Sequence, residues 1–224
     1  MCRGFIVVKV WDLFVRLSHW LIVLLVISAW LSAHYGDVEY KWHTWNGYTV
    51  FVLVLTRLIW GIVGSTSARF SQFLTFPKTV LFYLLDLVKG KSTNYLGHNP
   101  AGGWMVIVIL FVLLAQAITG LFSSDDIINE GPFVYYVSGD VVALMTGWHH
   151  FFFDLLIVLI LLHISAVLYH QIIKKEKLIM AMIHGRKPFI SKHEPPFVFR
   201  PFYFAVLIFL IIVFIFWILL RTYS

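Results

Sequence analysis

Ten histidines are spread through this chain of 224 residues, and six of them (His19, His43, His149, His150, His163 and His170) fall within or at the ends of long apolar runs. Imidazole is the commonest side-chain metal ligand and titrates near neutral pH. An ionisable group inside an apolar spanning helix is costly enough to be a functional-site hypothesis by default. His149 and His163 are fourteen positions apart. At about 100° per residue that step turns the side chain roughly 1400°, within about 40° of four full turns, and advances about 21 Å along the axis. Both rings then share one helix face, one near each side of a membrane. His150 is rotated by about 140° from that face and is the poorer ligand candidate.

The elements that must carry these residues are membrane helices. Hydrophobic residues make up 60% of the chain and charged residues 12%, against about 45–50% and about 25% in ordinary soluble domains. Lipid requires segments that satisfy their own backbone hydrogen bonds, so the expected fold class is an all-α integral membrane helical bundle. Apolar runs near residues 11–33, 43–64, 101–122, 147–173 and 201–220 each reach the roughly 20 residues needed to cross the hydrocarbon layer. The first starts near Val10 without a small-residue cleavage site, so it is expected to remain as a span. Phe73 to Val88 is shorter and interrupted by Pro77 and Lys78, and is expected to lie at the interface as an amphipathic helix. Pro195, Pro196 and Pro201 mark a break, dividing the chain into a haem-binding membrane domain over 1–192 and an extra transmembrane helix over 193–224. Trp11, Trp42, Trp45, Trp104 and Trp148 fall at span ends, as interfacial belts do. The single cysteine, Cys2, excludes an internal disulfide and a cysteine-held iron–sulfur cluster, which takes about four thiolates. No Cys-x-x-Cys-His occurs, which excludes a c-type haem.

Positive charge sets the orientation. Arg3 and Lys9 precede span one, Arg69, Lys78, Lys89 and Lys91 separate spans two and three, and Lys174, Lys175, Lys177, Arg186, Lys187 and Lys192 follow span four. Asp37 and Glu39 with only Lys41, then Asp125, Asp126, Glu130 and Asp140, mark the opposite side. The amino terminus is expected inside and the carboxyl terminus in the periplasm. His19 lies about 13 Å into span one and His163 about 15 Å from the cytoplasmic end of span four; His43 and His149 both sit at periplasmic entrances. The depths pair His19 with His163 and His43 with His149, giving two bis-histidine b-type haems stacked across the bilayer. Iron with both axial positions filled favours electron transfer over chemistry at the metal. The bland alternative for any one of them is a hydrogen bond between helices.

Arg16 and Arg57, toward the cytoplasmic side, suit haem propionates through paired hydrogen bonds; snorkelling competes, more strongly for Arg16. Gly47, Gly61, Gly64, Gly102, Gly103 and Gly120 fit either room for a porphyrin or close helix packing. His170 is placed at a propionate, a quinone or the solvated interface, and His34, His184 and His193 in solvated loops.

The run Arg16-Leu-Ser-His19-Trp20 after Trp11-Asp12, the stretch His43 to Gly47 with Arg57 further on, the loop Gly97-His98-Asn99-Pro100-Ala101-Gly102-Gly103, the end of span three at Gln116-Ala117-Ile118-Thr119-Gly120-Leu121-Phe122 and the fourteen-step histidines resemble the cytochrome b subunits of nickel–iron hydrogenases and their bacterial di-haem relatives. The likeness covers roughly residues 9–173 and leaves the fifth span outside. It implies a four-helix core with two b haems that exchanges electrons with quinone and a periplasmic redox protein, such as a hydrogenase small subunit or a cytochrome c, in the bacterial inner membrane. His98 matches a loop position of the family, where it could also simply order the turn.

The expected function is therefore a non-catalytic electron conduit: a subunit of an oxidoreductase, with no catalytic residue of its own and no nucleic acid among its partners. Self-association is compatible with it. The alternatives are a superoxide:quinone oxidoreductase, against which the acidic loop between spans three and four argues, and a histidine-based metal or proton transporter. A transporter predicts carboxylates beside the histidines, and the helices offer little beyond Asp154.

Overall fold

A computed structural model describes residues 5–35, 41–91, 95–125, 129–190 and 197–223. The expectations placed on Cys2, Arg3, Asp37, Glu39, Asp126, Lys192, His193, Pro195 and Pro196 lie outside these residues. Seven α-helices follow in order: α1 (Leu13–Tyr35), α2 (Lys41–Val63), α3 (Pro77–Val88), α4 (Pro100–Gly120), α5 (Gly139–Ile172), α6 (Leu178–His184) and α7 (Phe202–Tyr223). Five of them, α1, α2, α4, α5 and α7, are long and apolar enough to span a membrane, at the places where the apolar runs predict them.

Local chemistry explains where several helices begin. Asp12 starts α1, its Oδ1 accepting from the Val15 amide at 2.8 Å, while its Oδ2 accepts from the Trp60 indole near the end of α2 at 2.9 Å. One buried carboxylate thus caps one helix and ties it to the next. Asn99 caps α4 by accepting from the Gly102 amide at 2.7 Å, with Pro100 as the first helical residue, where its missing N–H costs nothing. Pro77 plays the same part in α3, so it opens the amphipathic helix rather than interrupting it. The helix α5 starts at Gly139, ahead of the expected residue 147. Val141, Val142, Ala143 and Leu144 prolong its apolar pattern, and Asp140 stands in the first turn, where a carboxylate favours the helix dipole.

The central helix is α2, which packs against α1, α4 and α7, while α4 packs against α5. Val50 and Val54 of α2 meet Leu110 and Leu113 of α4 and Leu156 of α5 in one cluster. The last helix, expected as an addition outside the haem-binding domain, is docked on α2: Phe216 meets Tyr48 at 5.3 Å and Phe51 at 4.9 Å between ring centroids. Trp42 and Trp45 are exposed at the start of α2, as belts require, and Trp148 is exposed nine residues into α5, but Trp11 is buried in the cluster that joins the start of α1 to Trp60, Ala181 and Ala205.

Two short strands were not foreseen. Strand β1 (Phe5–Lys9) pairs antiparallel with β2 (Arg186–Ile190), from Phe5 opposite Ile190 to Lys9 opposite Arg186. Gly185, at φ +77°, ends α6 and leads into β2, and a Cβ there would stand 2.8 Å from the Trp11 carbonyl oxygen; no other residue type fits this turn without strain. The end of α5 is less comfortable. Lys175 adopts φ 55°, and the Glu176 amide donates back to the His170 carbonyl at 3.0 Å, a helix-ending turn that ordinarily uses glycine. Replacing Lys175 by Gly is expected to stabilise the protein by about 0.5–1 kcal/mol, the relief of the left-handed strain less the backbone entropy that glycine adds. A rise in the thermal midpoint of the detergent-solubilised variant checks this; a fall would show that the lysine side chain holds the turn.

Candidate haem-binding site

Four histidines meet as two pairs. The ring centroids of His19 on α1 and His163 on α5 lie 6.4 Å apart, and those of His43 on α2 and His149 on α5 lie 6.1 Å apart. A metal held between two imidazoles by bonds of about 2 Å, with about 1.1 Å from each ring nitrogen to its centroid, sets the centroids about 6.3 Å apart. Both pairs match that spacing. They reach across a gap, since α5 makes only sparse backbone approach to α1 and α2 although it packs closely on α4. Of the residues of α5, only Leu156 and His170 are buried, and Gly47 on α2 has nothing within 4 Å of where a Cβ would stand. A flat macrocycle has room there. Among the described residues no three His, Cys, Asp or Glu side chains come together as a metal-ion site.

The His43–His149 pair is held by main-chain acceptors. The Nδ1–H of His43 donates to the Ala29 carbonyl at 3.0 Å, and the Nδ1–H of His149 donates to the Gln116 carbonyl at 3.0 Å. Such bonds fix the ring orientation and the tautomer that leaves Nε2 for a metal. The Nε2 of His149 accepts from the Gln116 side-chain amide at 3.1 Å, so Gln116 must yield that nitrogen when iron takes it. Gly120 makes room for the ring, because a Cβ there would lie 3.0 Å from His149 Cε1. Asn46, one turn after His43, is buried and donates to Ser28 Oγ at 2.9 Å, fixing α2 against α1. In the other pair, the Nδ1 of His19 is buried without a hydrogen-bond partner among the described residues.

The two arginines part company. Arg57 is buried, 5% exposed, its guanidinium 5.6 Å from the Phe70 ring centre, and its Nη1 has no hydrogen-bond partner among the described residues. A buried guanidinium in want of acceptors is what a haem carboxylate would satisfy. Arg16 neither snorkels nor waits for a ligand with all its donors: its Nη1 donates to the Ile183 carbonyl of α6 at 2.6 Å and its Nε to the Asp12 carbonyl at 3.4 Å. His150 and His34 are exposed, the latter donating to the Trp30 carbonyl at 2.9 Å.

His98 does more than order a turn. Its ring lies between Trp11, at 4.6 Å, and Phe73, at 4.4 Å between centroids, with its Nδ1 buried and without a partner among the described residues. Burial first, then the positive fields of Arg57 and His163, lowers its pKa to about 3, so it is neutral at every physiological pH. A folded pKa below the unfolded 6.5 means that the unfolded chain binds the proton first as pH falls. Stability from this group is complete above pH 6.5 and lost as pH drops from there toward 3. His98→Gln should therefore flatten the acid limb of the thermal midpoint against pH in that window; an unchanged limb would show that His98 is not held neutral.

The comparisons with known proteins bear on what such a site does. The family model described as prokaryotic cytochrome b561 matches residues 10–185, which takes in all four paired histidines and stops before α7. A probable Ni/Fe-hydrogenase B-type cytochrome subunit of Bradyrhizobium diazoefficiens is 24% identical, over 81% of this chain and 86% of its own length. Proteins of the same description from Rhizobium leguminosarum bv. viciae and Azotobacter vinelandii are 21% and 22% identical, over 84% and 81% of this chain and 91% and 89% of their own lengths.

Proposed function

The chain belongs to the prokaryotic cytochrome b561 family and is a multi-pass membrane b-type cytochrome of electron transfer; from that premise we propose that it carries two haems and conducts electrons between a periplasmic redox partner and quinone. The observation that supports this best is the pair of imidazole couples, His19 with His163 and His43 with His149, each spaced to hold one iron across the same gap. His19, His163, His43 and His149 would hold the haems, which would supply a reversible one-electron couple.

The work of the chain is to hold and insulate. His43 and His149 are oriented by the carbonyls of Ala29 and Gln116, which raises the basicity of the ligating nitrogen as well as aiming it. Arg57 supplies a buried positive charge near the His19–His163 pair for a carboxylate that would otherwise be expensive to bury; Arg16, with donors to spare beyond its two backbone acceptors, is a second candidate for the same task. The apolar side chains of α2, α4 and α5 keep water from the path. The lysine-rich connections support an orientation with the His19–His163 pair toward the cytoplasm and the His43–His149 pair toward the periplasm. The names of the relatives make a nickel–iron hydrogenase the first partner to try, with the periplasmic haem as the point of contact. The docked α7, outside the family match, adds a surface on which this chain differs from that pattern.

A reduced-minus-oxidised spectrum with pyridine haemochrome quantitation tests the reading. Two b haems per chain are expected in the wild type and one in each of His19→Ala, His43→Ala, His149→Ala and His163→Ala. Gly120→Val, which drives a branched side chain into the His149 ring, should lose the same haem as His149→Ala. A wild type without haem, or four alanine variants that keep both, would overturn the proposal.

A further inference from the structure

Beyond the haem ligands, α5 carries one more histidine whose surroundings are built rather than solvated. His170 follows His163 by seven positions, which returns it to within about 20° of the same face, about 10 Å further along the helix. Its Nε2 is 3.3 Å from the Tyr83 hydroxyl of α3, and its Nδ1 is 3.1 Å from Glu176 Oε1. Glu176 Oε2 accepts from Lys187 Nζ of β2 at 2.6 Å, and Lys187 also donates to the Tyr95 carbonyl at 2.7 Å. Tyr83, His170, Glu176 and Lys187 are all buried, between 6% and 8% exposed. Tyr95 and Tyr169 stand beside Tyr83 and complete the titratable groups that face this chain.

A brace between α3, α5 and β2 would not need this chemistry. Buried ion pairs are poor sources of stability, and apolar residues of similar volume do the same holding. What distinguishes the arrangement is an imidazole bridging two oxygen acids through its two nitrogens, so that a proton accepted on one side can be released on the other. The ends differ in their setting. Lys187 belongs to the β1–β2 sheet beyond the spans, whereas Tyr83 belongs to the amphipathic helix packed against α4.

We propose that Tyr83, His170, Glu176 and Lys187 form a proton wire that exchanges one proton between water at the lysine-rich end of the bundle and a quinone reacting there. This rests on the reading that the protein exchanges electrons with quinone. Reduction of a quinone to quinol takes up two electrons, delivered through the protein, and two protons. For one of these, the protonated Glu176 carboxyl gives its proton to His170 Nδ1, His170 Nε2–H gives its proton to the Tyr83 oxygen, and the Tyr83 O–H proton passes to a quinone oxygen. This leaves His170 as the Nδ1–H tautomer against the Glu176 carboxylate; a proton taken up by that carboxylate from water past Lys187, and a turn of the imidazole that presents its N–H to Tyr83 again, restore the starting state, and the second proton comes from water. Quinol oxidation runs the same shifts backwards through the other imidazole tautomer. The groups are set for these roles: burial, then the neighbouring Glu176, Tyr95 and Tyr169, raises the Tyr83 pKa to about 12, so it stays a donor. Burial pushes the Glu176 carboxyl upward, but hydrogen bonds from His170 and Lys187 outweigh it and hold the group low, so it rests as the acceptor.

The test mixes dithionite-reduced protein, freed of excess reductant, with a water-soluble short-chain ubiquinone analogue and follows haem reoxidation against pH. His170→Gln and Glu176→Gln are expected to retain both haems and to slow reoxidation by about a hundredfold near neutral pH, the low end of what a positioned proton donor contributes. Tyr83→Phe should act in the same direction. Free imidazole should restore the rate in His170→Gly, and the redox-induced infrared difference spectrum should carry a carboxyl signal that Glu176→Gln abolishes. Wild-type rates and pH profiles in the two glutamine variants, or a loss in His170→Gly that imidazole leaves untouched, would overturn the wire and leave the quinone reading standing. A wild type that the quinone cannot reoxidise would overturn the quinone reading, and the wire with it.

Discussion

An imidazole in the interior of a bilayer must be given something to bind, because lipid offers neither donor nor acceptor. This constraint organises the bundle. Four histidines are supplied by three helices, and the two couples they form face each other at 6.4 and 6.1 Å where α5 makes only sparse approach to α1 and α2. With that gap kept open, the remaining packing has to be carried elsewhere. It falls to α2, which buries nine residues against α1, α4 and α7, and to the α4–α5 contact. Of the five spanning helices, the one that contributes most histidines to the site buries the fewest residues.

The end of the bundle that carries lysines is where the polar groups are gathered. Asp12 caps α1 and binds Trp60, Arg16 is fixed to α6, and the Glu176–Lys187 pair joins the turn after α5 to β2. The Asp12–Trp60 and Arg16–Ile183 bonds link segments far apart in sequence, and the bonds of Asp12 and Glu176 are buried, where an unpaired partner would cost a few kcal/mol. Charged residues near the spans therefore act here as fasteners between helices and the small sheet.

The five spans could be read from the sequence because span length and apolarity are local properties, and the histidine pairing because depth and helical phase follow from counting residues. What escaped reading depended on partners far along the chain. Strands β1 and β2 are each five residues long and have no pattern that announces them; they exist because Lys9 and Arg186 are brought side by side by the helices between. Pro77 looked like an interruption since a proline stops a helix from one side and starts it from the other. Trp11 at a span end suggests a lipid belt, yet His98 lies against it and it is buried in a cluster with Trp60, Ala181 and Ala205 from other segments. A solvated setting for His170 is excluded by its burial between Tyr83 and Glu176; nothing in its neighbours along the chain signals a tyrosine 87 positions away.

The β1–β2 pairing also has a bearing on how the protein is made. Residues 5–9 emerge from the ribosome before residues 186–190 and find their partner only when these have followed, after four of the five spans have been inserted. Until then the segment ahead of the first span has its edge unpaired, and the contacts it closes are among the more distant along the sequence, the kind that form slowly. The bundle thus stays unlatched through most of its synthesis, with the space beside α5 still accessible, and the sheet acts as a clasp that shuts late.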